Sequence, residues 1–306
     1  MTYEEKLVRF NEHIEAGGKV EANDWMPDDF RRGVLKFIEM HANSEIMGAL
    51  PERECLPSAP TLRRKMSLCA KIQDEVGHAQ LLYRVAEDLG KSRVAMYEDL
   101  VNAKAKFHNV FHYPVRHWGD VAIIGWLIDG AALVTQAALL DSSYAPYTRV
   151  LKRICAEEQL HLRHGEDITL ELASGTDEQR EMFQEALNRW WLPIIHFFGP
   201  RSNVSKDLLL RWKVKTRTNE DLRAEFLDRY VPKILELGFS IPAPTPVKTE
   251  DGRWVLVEEE IDWAPLDAIK RNEGPETARR LGLRKKMYDD HRWVREALST
   301  SATHAA

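Results

Sequence analysis

The chain carries one short motif twice: a glutamate followed three residues later by a histidine, in Glu75-Val76-Gly77-His78 and in Glu158-Gln159-Leu160-His161. On an α-helix, side chains three apart leave the same face. Each pair lies in an apolar stripe. Leu68, Glu75, His78, Leu82, Val85 and Leu89 form the first, and Tyr147, Leu151, Ile154, Glu158, His161, Ile168 and Leu172 the second. A carboxylate and an imidazole turned toward a core cost roughly several kcal/mol unless they are neutralised. One bound cation pair does that for both motifs if the fold brings them together.

The flanking segments supply matching faces. A helix is expected over residues 30–50, entered at Asp24 to Asp29, with Leu35, Ile38, Ala42, Glu45 and Ala49 inward and Pro51 as its end. A second is expected over residues 61–89, with Gly90 as its cap. A third spans residues 92–109, ahead of the turn Phe111-His112-Tyr113-Pro114. A fourth spans 118–140, with Ala122, Trp126, Asp129, Leu133, Gln136 and Leu140 inward, and a fifth spans 147–173. Glu45 precedes Glu75 by 30 residues and Asp129 precedes Glu158 by 29. Each half is thus a helix with one buried acid, a connection, and a helix with Glu-x-x-His. Two such hairpins make a four-helix bundle with six facing donors, Glu45, Glu75, His78, Asp129, Glu158 and His161, and residues 90–117 fit its long crossover. The expected fold class is all-α, a ferritin-like four-helix bundle with additional helices and a small, mostly helical C-terminal lobe. The expected divisions are an N-terminal extension over 1–24, the bundle over 25–200 and the lobe over 201–306. Further helices are expected over 177–196 and 219–237, a strand from Gly252 to Val257, and a fraying tail.

Composition narrows the function classes. The 306 residues are 44% hydrophobic and 30% charged, which suits a soluble domain with a large core. A net charge of -5 gives no reason to expect nucleic acid or an anionic membrane. No apolar run of about eighteen residues and no leader pattern stands out, so a cytoplasmic protein is expected. Cys55, Cys69 and Cys155 have no paired spacing, and Cys69 and Cys155 read as small buried residues. Trp190-Trp191 beside Phe197-Phe198 suggests a wide packed surface.

Four carboxylates and two imidazoles suit two iron or manganese ions bridged by carboxylate, whereas zinc sites are more often rich in His and Cys. A redox-active pair with open positions can bind O2 and deliver an oxygen atom. A metal-free polar network is the other reading, and it leaves several like charges too close to ionise together. Asp74 and Glu157 precede the motif glutamates. They read either as carboxylates bracing the histidines' second N–H or as solvated helix charges. Lys71 reads either as the partner of a ligand carboxylate or as a stem snorkelling past the core. His41 is expected to be a core histidine bonded to backbone, and Gln136 a hydrogen bond of the bundle. Asp129 reaches roughly 1.5 Å less than a glutamate.

Several stretches resemble one known family. They are His41-Ala42-Asn43-Ser44-Glu45, Ala59 to Lys65, Gln73-Asp74-Glu75-Val76-Gly77-His78, Gly125 to Ala132, the Glu158/His161 pair, Trp190 to Pro193, Phe198-Gly199-Pro200 and Glu260-Ile261-Asp262-Trp263. Together they are similar to the catalytic subunits of the bacterial ring 1,2-phenylacetyl-CoA epoxidases, which are multicomponent monooxygenases, and Asp129 is shared with that family. The resemblance implies two iron ions held by Glu45, Glu75, His78, Asp129, Glu158 and His161. It implies O2-dependent epoxidation of the ring of phenylacetyl-CoA in phenylacetate catabolism, with electrons from NADPH through an iron–sulfur flavoprotein reductase. It also implies small accessory subunits and a homologous, non-catalytic ferritin-like subunit. CoA phosphates need basic residues at the bundle mouth. The candidates are Lys36, Lys104, Lys106, Lys213, Lys215 and Arg217, each readable singly as a solvated surface charge. Phe107, Phe111 and Trp126 are candidates for holding the ring, with core packing the simpler reading of each. The rival functions on such a bundle are an acyl desaturase, a metal oxidase, an iron store and a scaffold subunit.

Overall fold

The computed structural model describes residues 1–303. Its architecture is all-α and ferritin-like, and four long helices frame the centre. Helix α1 (Tyr3–Glu15) opens on a capping box at Thr2 and buries Phe10 and Ile14 against Phe30 and Trp212. Helix α2 (Asp28–Cys55) starts with two acids in its first turn, where they complement the helix dipole. Helix α3 (Leu62–Glu87) is capped by Thr61 and folds back along α2. Helix α4 (Arg93–Val101) lies in the crossover. The second hairpin begins with α5 (Trp118–Ile123), a π-helical turn (Ile124–Ile128) and α6 (Asp129–Leu139) in unbroken succession. It returns through α7 (Ala145–Ala173), which packs on that composite helix and on α3. Helix α8 (Asp177–Phe197) closes the far side, with Trp190 bonded to Asp120 and Trp191 to the Pro244 carbonyl.

The rest of the chain braces this frame. Helix α9 (Leu208–Arg211) lies against α2, and α10 (Asn219–Glu236) packs on α6. The expected strand is reduced to an antiparallel pair, β1 (Val247–Lys248) with β2 (Trp254–Val255). Helices α11 (Ala264–Lys270), α12 (Thr277–Asp290) and α13 (Arg292–Thr303) follow. Buried Arg280 ties α12 to Glu54 and to the Phe111 carbonyl. The expected fraying beyond residue 303 lies outside the described residues. Trp118–Leu139 is apolar and long enough to cross a membrane by length and composition, but 78% of its apolar window is buried inside the fold.

Three expectations need correction. Pro51 does not end its helix. Helix α2 runs on to Cys55, because Leu50, Pro51, Glu52 and Cys55 are all buried there. That packing outweighs a propensity cost of about 3 kcal/mol for an internal proline. The helix expected over 92–109 stops at Val101, where Ala103 turns left-handed (φ 59°) and the Lys104 amide reaches back to the Asp99 carbonyl. Among the cysteines, Cys69 is exposed and Cys155 half-buried, whereas Cys55 is the buried one.

Candidate metal centre

Each of the four bundle helices turns part of the six-residue set inward. Helix α2 provides Glu45, α3 provides Glu75 and His78, α6 provides Asp129, and α7 provides Glu158 and His161. All six are between 1 and 7% exposed. Their donor atoms form two groups. Glu45, Glu75, His78 and Glu158 are one, and Asp129, Glu158 and His161 the other, with the atoms of each group within 4.8 Å of one another. Glu158 belongs to both.

The local backbone explains how Asp129 reaches this level. Its amide closes the wide turn by bonding to the Ile124 carbonyl five residues back. The turn lies where α7 comes closest. A Cβ on Gly165 would sit 2.0 Å from the carbonyl carbon of Gly125, so neither position has room for a side chain. The wide turn also separates Trp126 from the inward face that regular helical spacing assigns to it. Trp126 packs instead between Phe183 and Tyr230.

Both histidines present Nδ1 inward. His78 Nδ1 lies 3.3 Å from Glu158 Oε1 and 3.6 Å from Glu45 Oε2. His161 Nδ1 lies 3.2 Å from Glu158 Oε2 and 3.6 Å from Glu75 Oε1. The outer nitrogens are braced across the bundle. His78 Nε2 meets Glu157 at 2.8 Å, and His161 Nε2 meets Asp74 at 3.1 Å. Each acid therefore serves the other hairpin's histidine. A proton on Nε2, donated to a carboxylate, leaves the Nδ1 lone pair facing the centre. His78 Nδ1 is buried and has no hydrogen bond, its carboxylate neighbours lying outside bonding geometry.

The electrostatics are those of crowded acids. Burial, with Glu158 and Glu45 nearby, raises Glu75 well above the ordinary carboxyl range. Burial also acts to raise Glu45, but the hydrogen bond from His41 and the nearby His78 imidazole outweigh it and hold that carboxyl low. His78 loses solvation, yet Glu158 and Glu45 push it up to about 10. Without a cation these groups share protons in place of metal charge.

Lys71 pairs with acids and does not snorkel. Its ammonium is buried, bonded to Asp129 and 2.6 Å from Glu52 Oε1. Burial works against that charge, but Asp129, Glu52, Glu75 and Glu158 raise its pKa well above the usual value. Glu52 is an acid of this centre that the sequence pattern did not reveal. Burial lifts it to about 7, and its Oε2 has no hydrogen-bond partner. Its signal was there, two helical turns beyond Glu45, hidden by the expected stop at Pro51. The expectation for His41 also needs correction. It bonds no backbone: Nδ1 meets the Tyr147 hydroxyl at 2.7 Å, and Nε2 meets Glu45 at 2.8 Å. Gln136 hydrogen-bonds within the bundle, to His41 and Cys155.

A cavity of about 280 Å³ runs from this centre to the surface. Its inner end is lined by Glu45, Glu75, Asp129 and Glu158, its wall by Phe37, Phe111, Phe197 and Phe198, and its outer end by Lys215, Thr216 and Arg217. Of the six basic candidates, Lys215 and Arg217 therefore reach it. Lys36 and Lys104 are exposed elsewhere, Lys106 bonds Asn272, and Lys213 bonds the Glu15 carbonyl. Of the three aromatic candidates, Phe111 lines the cavity. Phe107 stacks on His112, and Trp126 stays in the core.

Comparison with known proteins agrees with this geometry. The sequence model of a family described as phenylacetic acid catabolic protein matches residues 3–293. The A component of the 1,2-phenylacetyl-CoA epoxidase of Escherichia coli (strain K12) is 41% identical over 300 residues, which cover 97% of this chain and 96% of that protein.

Proposed function

The chain belongs to the phenylacetic acid catabolic protein family, and from that premise we propose that it is the catalytic component of an O2-dependent monooxygenase converting phenylacetyl-CoA to its ring 1,2-epoxide. The observation that carries the reading is the sharing of Glu158 between the two donor groups. Glu45, Glu75, His78 and Glu158 would hold one ion, and Asp129, Glu158 and His161 the other. The donor chemistry fits iron, being rich in carboxylate with one imidazole per ion. The buried, unbonded Nδ1 of His78 offers the lone pair that an ion takes. When bound, the iron pair supplies the redox chemistry with O2 that side chains lack.

The chain's own residues bind, orient and exclude. Glu157 and Asp74 fix the tautomers of His78 and His161. His41, held by Tyr147, keeps one oxygen of Glu45 in place. Phe111, Phe197 and Phe198 wall the cavity for an aromatic ring and keep bulk water out. Lys215 and Arg217 stand at its mouth for the CoA phosphates, paired for the present with Asp207 and Glu225. The Escherichia coli relative is one lettered component of its epoxidase, which supports a multisubunit assembly here. We assign its other members as small accessory subunits, a non-catalytic ferritin-like subunit, and an iron–sulfur flavoprotein reductase that passes electrons from NADPH, all in the cytoplasm.

The test is reconstitution with those partners under isotopically labelled O2. Phenylacetyl-CoA should gain one labelled oxygen, and free phenylacetate should not react. Equal turnover of the free acid, or a dehydrogenated product without oxygen, refutes the reading; the latter result would instead support a desaturase.

A further inference from the structure

The two ion places are not equivalent, and the difference lies in Lys71. Its ammonium is bonded to Asp129 and to Glu52, at the end of the centre where Asp129, Glu158 and His161 converge. No such cation touches Glu45, Glu75 or His78 among the described residues. The buried carboxylate of Glu52 is only half used: Oε1 accepts from Lys71, and Oε2 has no partner. A buried, empty acceptor on the same residue that already holds the ammonium gives Lys71 a second resting place. We propose that Lys71 is a resident cation of the Asp129 place, displaced onto Glu52 when the second metal ion enters.

This inference rests on the dinuclear reading above and adds an order of filling to it. An ammonium and a divalent ion cannot share one short carboxylate without strong repulsion. The first ion therefore goes to Glu45, Glu75, His78 and Glu158, where no side-chain ammonium has to leave. The second competes with Lys71 for Asp129 and binds more weakly. Lys71 acts through Asp129, so it is a positioning residue.

The test is anaerobic titration of the apo chain with iron(II) against a competing chelator, with manganese(II) followed in parallel by its spin-coupled resonance signal. The wild-type chain is expected to take two ions in unequal steps. Lys71→Met should tighten the second step by about tenfold or more and leave the first within about twofold. Lys71→Arg, which keeps the charge, should preserve the inequality. Equal tightening of both steps by Lys71→Met, or no change in either, overturns the inference in favour of a general field effect or a purely structural lysine. If Lys71→Met does not fold, a crystal structure of the wild-type chain loaded with manganese decides. Lys71 Nζ should be off Asp129 and held by both oxygens of Glu52, and an ammonium still on Asp129 beside two bound ions refutes the displacement. Failure of every form to take a second ion refutes the dinuclear reading itself, a separate result.

Discussion

On the proposed two-ion reading, truncating Glu157 to Ala should weaken binding of the ion at His78, which lies on the other hairpin, and spare the one at His161. Glu157 accepts from His78 Nε2 at 2.8 Å, and hydrogen bonds to charged groups contribute about 1.5–3 kcal/mol. The Glu157 side chain is 28% exposed and also binds Arg153. Solvent and a competing partner place it at the lower end of that range, about 1.5 kcal/mol, or roughly tenfold in the affinity of one ion. Glu157→Gln keeps an acceptor without the charge and should lose about half as much. Asp74→Ala is the mirror case, acting on the ion at His161. The assay is a double-mutant cycle on metal affinity. Glu157→Ala should be strongly non-additive with His78→Ala and additive with His161→Ala. Coupling to His161, four residues along the same helix, and not to His78 would refute the crossed arrangement.

Charge reversal of Lys215 and Arg217 together should raise the KM for the CoA thioester by about tenfold or more and leave the two-ion stoichiometry intact, read by steady-state kinetics and metal count. Gly165→Ala forces a Cβ into the Gly125 backbone. It should cost about 1–3 kcal/mol, lower Tm by several degrees, and displace Asp129 enough to weaken one ion. Gly77→Ala, at an exposed helical position with nothing within 4 Å, should instead stabilise by about 0.5–1 kcal/mol. Burial against Thr277, with Arg280 and Lys106 nearby, lowers His112 from 6.5 to about 4. The unfolded chain takes up this proton below pH 6.5 and the folded chain only below about 4. Stability is therefore full above 6.5 and falls between 6.5 and 4, by about 2 kcal/mol from pH 7 to pH 5. Urea midpoints at those two pH values should show the loss, and His112→Asn should remove this histidine's share of it, His108 and His164 being lowered by burial in the same way.

The helical spacing of acids and histidines made the centre legible in the sequence. Glu45, Asp129 and the two motif pairs interrupt apolar stripes at helical intervals, and the intervals match between halves. What escaped was what depends on neighbours far away in the chain. Pro51 is a local stop signal, and only the buried contacts of the following turn, with Glu52 among them, override it. The spacing of four residues aims Asp74 at His78 and Glu157 at His161. The facing of α3 and α7 reverses both pairings. His41 has the pattern of a core histidine until Tyr147, more than a hundred residues later, supplies its hydroxyl. Charge alone could not sort the basic candidates, because the segment from Lys213 to Arg217 reaches the cavity only through its docking at the end of α6, where Thr216 bonds the Ala138 carbonyl and Ser143 the Lys213 carbonyl. The wide turn before Asp129 has no composition of its own, and Gly125 marks it only once Gly165 is seen against it.

The balance of buried charge argues for two divalent ions as the state this centre is built around. Glu45, Glu75, Asp129 and Glu158 carry four negative charges when ionised, and two divalent ions cancel them with both imidazoles neutral. Glu52 and Lys71 then cancel each other within the same wall. A single ion leaves two carboxylates of the set uncompensated in a place with almost no solvent, and the apo chain answers that excess with borrowed cations. Burial and the neighbouring acids push Glu75 and His78 toward their protonated forms, and the Lys71 ammonium is bonded to Asp129. Each of those substitutes lies where one of the proposed ions would take its place, so metal loading replaces charges the fold already supplies and adds no new burden to its interior. A purely structural polar network has no reason to keep four acids in excess of its cations, since replacing one or two of them with amides would lower the desolvation cost and keep the hydrogen bonds.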